Sequence, residues 1–286
     1  MYKSTYRKKE EKIFVLVMQA ACVSIVVMMA LIIATIIRKG LPALNWEILT
    51  SVPEGGFYFG GSGGILNAIL GSVYLAVGAT LLALVISLPS ALFLNIHLKK
   101  YTKLQNTIRL IIDVLWGIPS IVYGAFAFTV MIYFGLRASL LAGIITVALF
   151  ISPIMIRGMD EALKMVPHLL YEAALSLGST KYETAYKVFL RQAVPGIATA
   201  ILLSFGRAIG DAASVLFTTG FTDNIPKSLD QPVATLPLAI FFQLSSPIPE
   251  VQQRAYAAAI VLTLIILLIS VTGRILSVHY SKNDMK

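Results

Sequence analysis

Two charged side chains stand four residues apart inside an apolar stretch, Ser204-Phe-Gly-Arg207-Ala-Ile-Gly-Asp211. A guanidinium is well suited to offering a planar fork of donors to the oxygens of an oxyanion. A charge at the centre of a bilayer costs about 2.5–3.5 kcal/mol on insertion scales, so something must compensate it. Asp211 is one helical turn on, and residues i and i+4 share a helix face. Two readings stay open. The pair is either a neutral lock between helices, or a site where Arg207 meets a passing anion and Asp211 limits how tightly it is held.

The remaining reactive side chains form no catalytic set. His97, His168 and His279 lack metal-ligand spacing and read as interfacial residues, and no Ser/His/Asp or paired-carboxylate arrangement is present. No metal site is expected. There is no Gly-x4-Gly-Lys-Ser/Thr loop to cradle ATP phosphates. Asp113 reads as a structural hydrogen-bonder. The run Gly60-Gly61-Ser62-Gly63-Gly64 either offers amides to an anion at a helix N-terminus or is a flexible lead-in, and the second reading is preferred. The single cysteine, Cys22, excludes an intrachain disulfide.

The elements that must position Arg207 follow from hydropathy. The 286 residues are 57% hydrophobic and 13% charged, against roughly 45–50% and about 25% in soluble domains. The mean hydropathy is +0.82. That excess cannot be buried in one soluble core, so the chain is an all-α integral membrane protein. Six segments suffice to span, at 13–37, 65–96, 107–134, 139–157, 193–219 and 255–278. The first follows a basic tail, residues 1–12, and is too long for the ~7–15-residue apolar region of a secretory signal; it reads as a retained anchor. With the N-terminus in the cytoplasm, seventeen Lys and Arg fall on that side and five on the other. This positive-inside pattern also puts the C-terminus in the cytoplasm. The basic balance is therefore topological, and nucleic acid is not an expected partner.

Three features shape these spans. Pro119 deprives the Leu115 carbonyl of its usual donor and predicts a kink in the third. The fifth opens at Pro195 and carries Gly196, Ala200, Ser204, Ala208 and Ala212, a small-residue stripe for close helix packing. Leu236–Phe242 is too short to cross and reads as re-entrant or interfacial.

Between the fourth and fifth spans the chain turns polar. Residues from about 159 to 190 predict a helix broken at Pro167, a left-handed Gly178 ending it, and a capping box of Thr180 and Glu183 opening the next helix. Such a hairpin is either an amphipathic linker on the headgroups or a docking element.

Glu172-Ala173-Ala174, three residues, Gly178, nine residues, Val188-x-Leu190 resembles the EAA motif of ABC importer permeases. The departures are Val188 for Ile and Arg191 for Pro. Further stretches are similar to the phosphate-specific branch of that family: Gly63–Ser72, Ile112–Gly124, Arg207–Asp211 and Thr235-Leu236-Pro237. That branch usually has Glu-Thr where this chain has Asp211-Ala212. The resemblance implies a six-helix, type I importer permease fold with a core over residues 63–280. It implies that Glu172, Ala173, Ala174 and Gly178 form a coupling helix docking on an ATPase subunit. No cofactor is expected on this chain, which is then not itself an enzyme; ATP and Mg belong to two partner ATPase subunits. The other implied partners are a homologous second permease, an external phosphate-binding protein and the lipid bilayer of a prokaryotic inner membrane. The alternatives are molybdate or tungstate as the anion, or the partner permease of the same system. An ion-driven secondary transporter, from another class, should show symmetry-related repeats, and none is detected.

Overall fold

The computed structural model describes the backbone of residues 2–283 and the side chains of 10–275 other than Lys99 and His168. His168, His279 and the tail cations Lys3, Arg7, Lys8 and Lys9 therefore lie outside the described side chains.

Among the described residues the α-helices follow in the order α1 (Tyr2–Gly40), α2 (Trp46–Thr50), α3 (Leu66–Ile96), α4 (Thr102–Gly117), α5 (Ser120–Tyr133), α6 (Leu140–Lys164), α7 (His168–Ser176), α8 (Lys181–Glu183), α9 (Leu190–Gly210), α10 (Leu236–Leu244) and α11 (Pro249–Asn283). Among the described residues five helices are long and apolar enough to cross a membrane, and α4 with α5 would make a sixth, sharply bent one. This is a multi-pass membrane protein: five of the six predicted spans have a single-helix counterpart, and the third is the bent pair α4 and α5.

Lipid is as apolar as leucine, so helices in it are held by close packing rather than by a hydrophobic force. The centre of the bundle accordingly uses small residues. Ala76, Ala79, Ala83 and Ala91 of α3 are fully buried. A Cβ added to Gly158 of α6 would stand 2.8 Å from that of Ala200 in α9, and one on Gly196 2.5 Å from that of Ala162. The predicted stripe on α9 is thus the seam against α6. α1 stands apart, exposed along nearly all of residues 10–39 and fastened near its end. There Gly40 lies against the Tyr256 backbone of α11, and Lys39 sits 5.1 Å over the Tyr256 ring.

Two spans differ from the expected rods. The third turns by 92° between α4 and α5, because Pro119 is extended (φ −58°, ψ 140°) and starts a new helix. The Leu115 carbonyl is not orphaned at this break: it accepts from the Ile118 amide at 3.2 Å and from the Tyr123 hydroxyl at 3.0 Å. The fifth passes through Pro195 without ending there, begins upstream, and stops at Gly210 rather than 219. Residues 211–235 are irregular. Irregular backbone is tolerated at membrane depth only when protein or an aqueous cavity surrounds it, and Ser214, Val215, Thr218 and Thr219 are fully buried. α5 covers this segment so closely that a Cβ on Gly124 would stand 2.6 Å from the Ser214 carbonyl oxygen. α10, the short segment expected to be re-entrant or interfacial, is buried at Leu236, Leu238 and Ala239.

Candidate functional site

The polar hairpin forms as its residues dictate. α6 ends at Lys164, Pro167 caps α7, and Gly178 adopts φ +84°. The Gly178 amide reaches the Leu175 carbonyl at 3.0 Å and the Ser179 amide reaches that of Ala174 at 3.1 Å. These are the two bonds of a Schellman ending, which needs a left-handed residue at this position. The capping box follows: the Glu183 amide donates to Thr180 Oγ1 at 3.2 Å, and the Thr180 amide to Glu183 Oε2 at 3.0 Å. From there the chain runs on through a π-helix, Thr184–Phe189, in which the Leu190 amide reaches back five residues to Ala185. The sequence reading missed that element.

The hairpin has two faces. Ala174, Ala185 and Phe189 are buried against the end of the bundle, with Tyr171 edge-on to Phe189 at 6.0 Å. Glu172, Ala173 and Gly178 are exposed. Around them lie Met165, Leu169, Leu177 and Tyr182, at 83%, 74%, 87% and 68% exposure. Exposed apolar side chains of this kind fit either expectation, a surface for a partner or contact with lipid headgroups.

Arg207 and Asp211 are not a pair. The helix ends between them, Asp211 is extended (ψ 123°), and its Oδ2 accepts the Ser214 amide at 2.9 Å. The expected i,i+4 compensation fails because Asp211 caps the turn after α9 instead of extending the helix. Arg207 makes no ion pair among the described residues. Its guanidinium carbon lies 5.0 Å over the ring of Phe150, and the side chain is exposed in the single chain. Phe150 stands ten residues into α6, or about 15 Å along its axis, half the ~30 Å hydrocarbon core. Arg207 therefore meets α6 near the middle of that helix, although it sits in the last turn of its own.

A cluster at the hairpin end of the bundle was not anticipated. Asp160, buried on α6, accepts from Arg109 Nε (3.0 Å) and Nη2 (2.9 Å) of α4, and from Asn95 of α3 (2.8 Å). Lys164 and Arg157 approach it at 2.9 and 3.3 Å, and Arg157 also pairs with Asp113 at 3.3 Å. Asp113 is thus structural, as its position suggested. Only Arg157, Glu161 and Lys164 lie near Asp160 in sequence; Arg109 is 51 residues away and Asn95 is 65. Removing one partner of a buried ion pair leaves uncompensated charge at a cost of about 3–5 kcal/mol. Asp160→Ala is therefore expected to lower the thermal midpoint of the detergent-purified protein markedly, and Asp160→Asn to lower it less. An unchanged midpoint for the alanine variant would show that the cluster does not hold α3, α4 and α6 together.

At the opposite end the glycine run is a built turn, with φ +88° at Gly60 and +107° at Gly63. Arg254 of α11 donates to the carbonyls of Phe57, Gly60 and Gly61 and lies 4.5 Å over the Phe57 ring. The amides of Gly61 and Gly64 are spent on Gly56 and Val52. The run thus turns carbonyls toward a cation, the opposite of an amide cradle for an anion, and forms an ordered turn ahead of α3. Beside it, the Tyr58 hydroxyl donates to Asp223 at 2.5 Å, and burial with that carboxylate pushes its pKa up.

Residues 83–282 match a family model described as the binding-protein-dependent transport system inner membrane component. Over 251 residues the chain is 34% identical to the phosphate transport system permease protein PstA of Pasteurella multocida, covering 88% of each protein. It is 32% identical over 277 residues to that of Yersinia pestis, covering 96% of this chain and 92% of the relative. Among solved structures it superposes on a chain of the inward-facing MetNI methionine ABC transporter with a TM-score of 0.62. That match is at 20% identity and covers 74% of this chain and 94% of the other. It speaks to the fold, and the fold is that of an ABC importer's membrane subunit. With the family model over residues 83–282 and permease relatives above 30% identity across most of its length, this chain belongs to the binding-protein-dependent transport system inner membrane components.

Proposed function

We propose that the chain is a permease subunit of an ATP-driven importer of inorganic phosphate, forming half of the translocation path. The observation that carries the reading is Arg207, a mid-depth guanidinium held by an aromatic ring rather than a carboxylate. Its donors remain available to an oxyanion. The names of the relatives supply the anion, phosphate. Arg207 faces outward from the single chain, where a second, homologous permease would close a lumen around it.

The positive-inside count along the sequence, seventeen Lys and Arg against five, supports a cytoplasmic hairpin end and cytoplasmic termini. One of the two ATPase subunits docks there on Glu172, Ala173 and Gly178 with their apolar surround, while Ala174 seats the hairpin against the bundle. A phosphate-binding protein delivers the anion at the other end. This chain is not an enzyme; ATP and Mg are bound and turned over on the ATPase subunits. ATPase closure can bias the permease only through contacts that differ between its two states. The route for that bias is direct, since Thr180 to Arg207 is one helical run: α8, the π-helix and α9.

The test is radiolabelled phosphate uptake in cells lacking this gene, complemented with it. Arsenate is expected to compete, and excess molybdate or tungstate is not. Competition by molybdate or tungstate instead would reassign the anion. Co-purification with an ATPase is expected, and its failure would favour an ion-driven carrier.

A further inference from the structure

We infer that Phe150 is a positioning residue for anion capture, which holds Arg207 in the path without consuming its charge; this rests on the reading of Arg207 given above. A cation at mid-depth must be stabilised by something. A carboxylate would do so by occupying the guanidinium donors, and the carboxylate four residues on is committed to the Ser214 amide. An aromatic face attracts the cation through its quadrupole and accepts none of its five N–H bonds in-plane. Phe150 offers such a face 5.0 Å from the guanidinium carbon and is 2% exposed, so it cannot swing away.

Its orientation is fixed by a second ring. The Tyr123 ring meets Phe150 edge-on, with centroids 5.6 Å apart and planes at 62°. The Tyr123 hydroxyl is in turn anchored to the Leu115 carbonyl at 3.0 Å, across the break between α4 and α5. The chain of contacts runs from the broken third span, through Tyr123 and Phe150, to Arg207. The bend at Pro119 thereby sets where the guanidinium stands.

The experiment replaces Phe150, in the assembled transporter, with 4-fluoro-, 3,5-difluoro- and 3,4,5-trifluorophenylalanine, which weaken the ring quadrupole at nearly constant shape. Phe150→Leu, which removes the face, is the end point. The apparent KM for phosphate uptake is expected to rise with each fluorine, reaching roughly two- to thirtyfold for Phe150→Leu, while Vmax stays within about twofold. A KM that does not follow the fluorine series overturns the proposal. So does a rise for Phe150→Leu alone, which would report packing. Arg207→Gln run in parallel separates the two levels. If it keeps the wild-type KM, the reading of Arg207 itself falls. If it has lost uptake while the fluorine series is flat, only the role of Phe150 falls.

Discussion

Arg207→Gln is expected to abolish phosphate uptake while leaving the transporter assembled. Glutamine keeps much of the length and some hydrogen bonding but removes the charge that the anion would meet. Truncating one partner of a buried charged contact costs about 2–5 kcal/mol, or roughly thirtyfold and upward in affinity. Assembly should not suffer, because a charge costing about 2.5–3.5 kcal/mol at mid-depth has been removed and no carboxylate is left stranded by its loss. Asp211 caps the Ser214 amide, so Asp211→Asn, which retains an acceptor, is expected to cost far less. Arg207→Lys should fall between, since an ammonium keeps the charge and loses the planar fork. The measurement is initial uptake rate, normalised to the ATPase recovered with the permease. Normal uptake by an assembled Arg207→Gln complex would remove Arg207 from the path.

Gly178→Pro is expected to uncouple ATP hydrolysis from uptake. Gly178 sits at φ +84° with nothing within 4 Å of where a side chain would begin, so the obstacle to substitution is the backbone alone. Proline is locked near φ −65° and has no amide. It would therefore break both the turn and the bond to the Leu175 carbonyl. α7 would lose its Schellman ending, and the exposed residues around Glu172 would no longer be presented at a fixed angle to α8. Gly178→Ala is the graded control, since the left-handed conformation costs an L-residue roughly 1–2 kcal/mol. The assay compares ATPase turnover with phosphate transported in proteoliposomes. The proline variant should hydrolyse ATP with little transport, and the alanine variant should lie between it and the wild type. A proline variant that transports normally would mean the hairpin does not carry the coupling.

Local signals in the sequence were the reliable ones. Gly178, Thr180 and Glu183 act within a few residues of one another, and each adopts the geometry that its chemistry requires. The six apolar stretches were legible because bilayer thickness imposes their length. The failures have a common cause. Hydropathy records that residues 107–134 and 193–219 are apolar, yet it is blind to whether the backbone stays helical there. Pro119 could announce a bend but not its 92°. Nothing local announces that α9 stops at Gly210, because the buried segment beyond it is stabilised by α5 and by its own turn. The pairing of Arg207 with Asp211 failed with that helix. The Asp160 cluster draws on α3 and α4 as well as α6, and its distant partners are joined only by the fold. Arg254 and the glycine run, 193 residues apart, are a further case.

The π-helix at Thr184–Phe189 also has a meaning in chain length. A π-turn is an α-helix carrying one residue more than its span requires. Elsewhere in a helix, losing a residue turns everything beyond it by about 100° and draws it back by about 1.5 Å. Here the surplus is already stored, so a relative one residue shorter between Glu183 and Leu190 keeps the hairpin at one end and Arg207 at the other in the same relative orientation. This stretch is therefore a length buffer, where losing one residue would be cheapest along the run from Thr180 to Gly210.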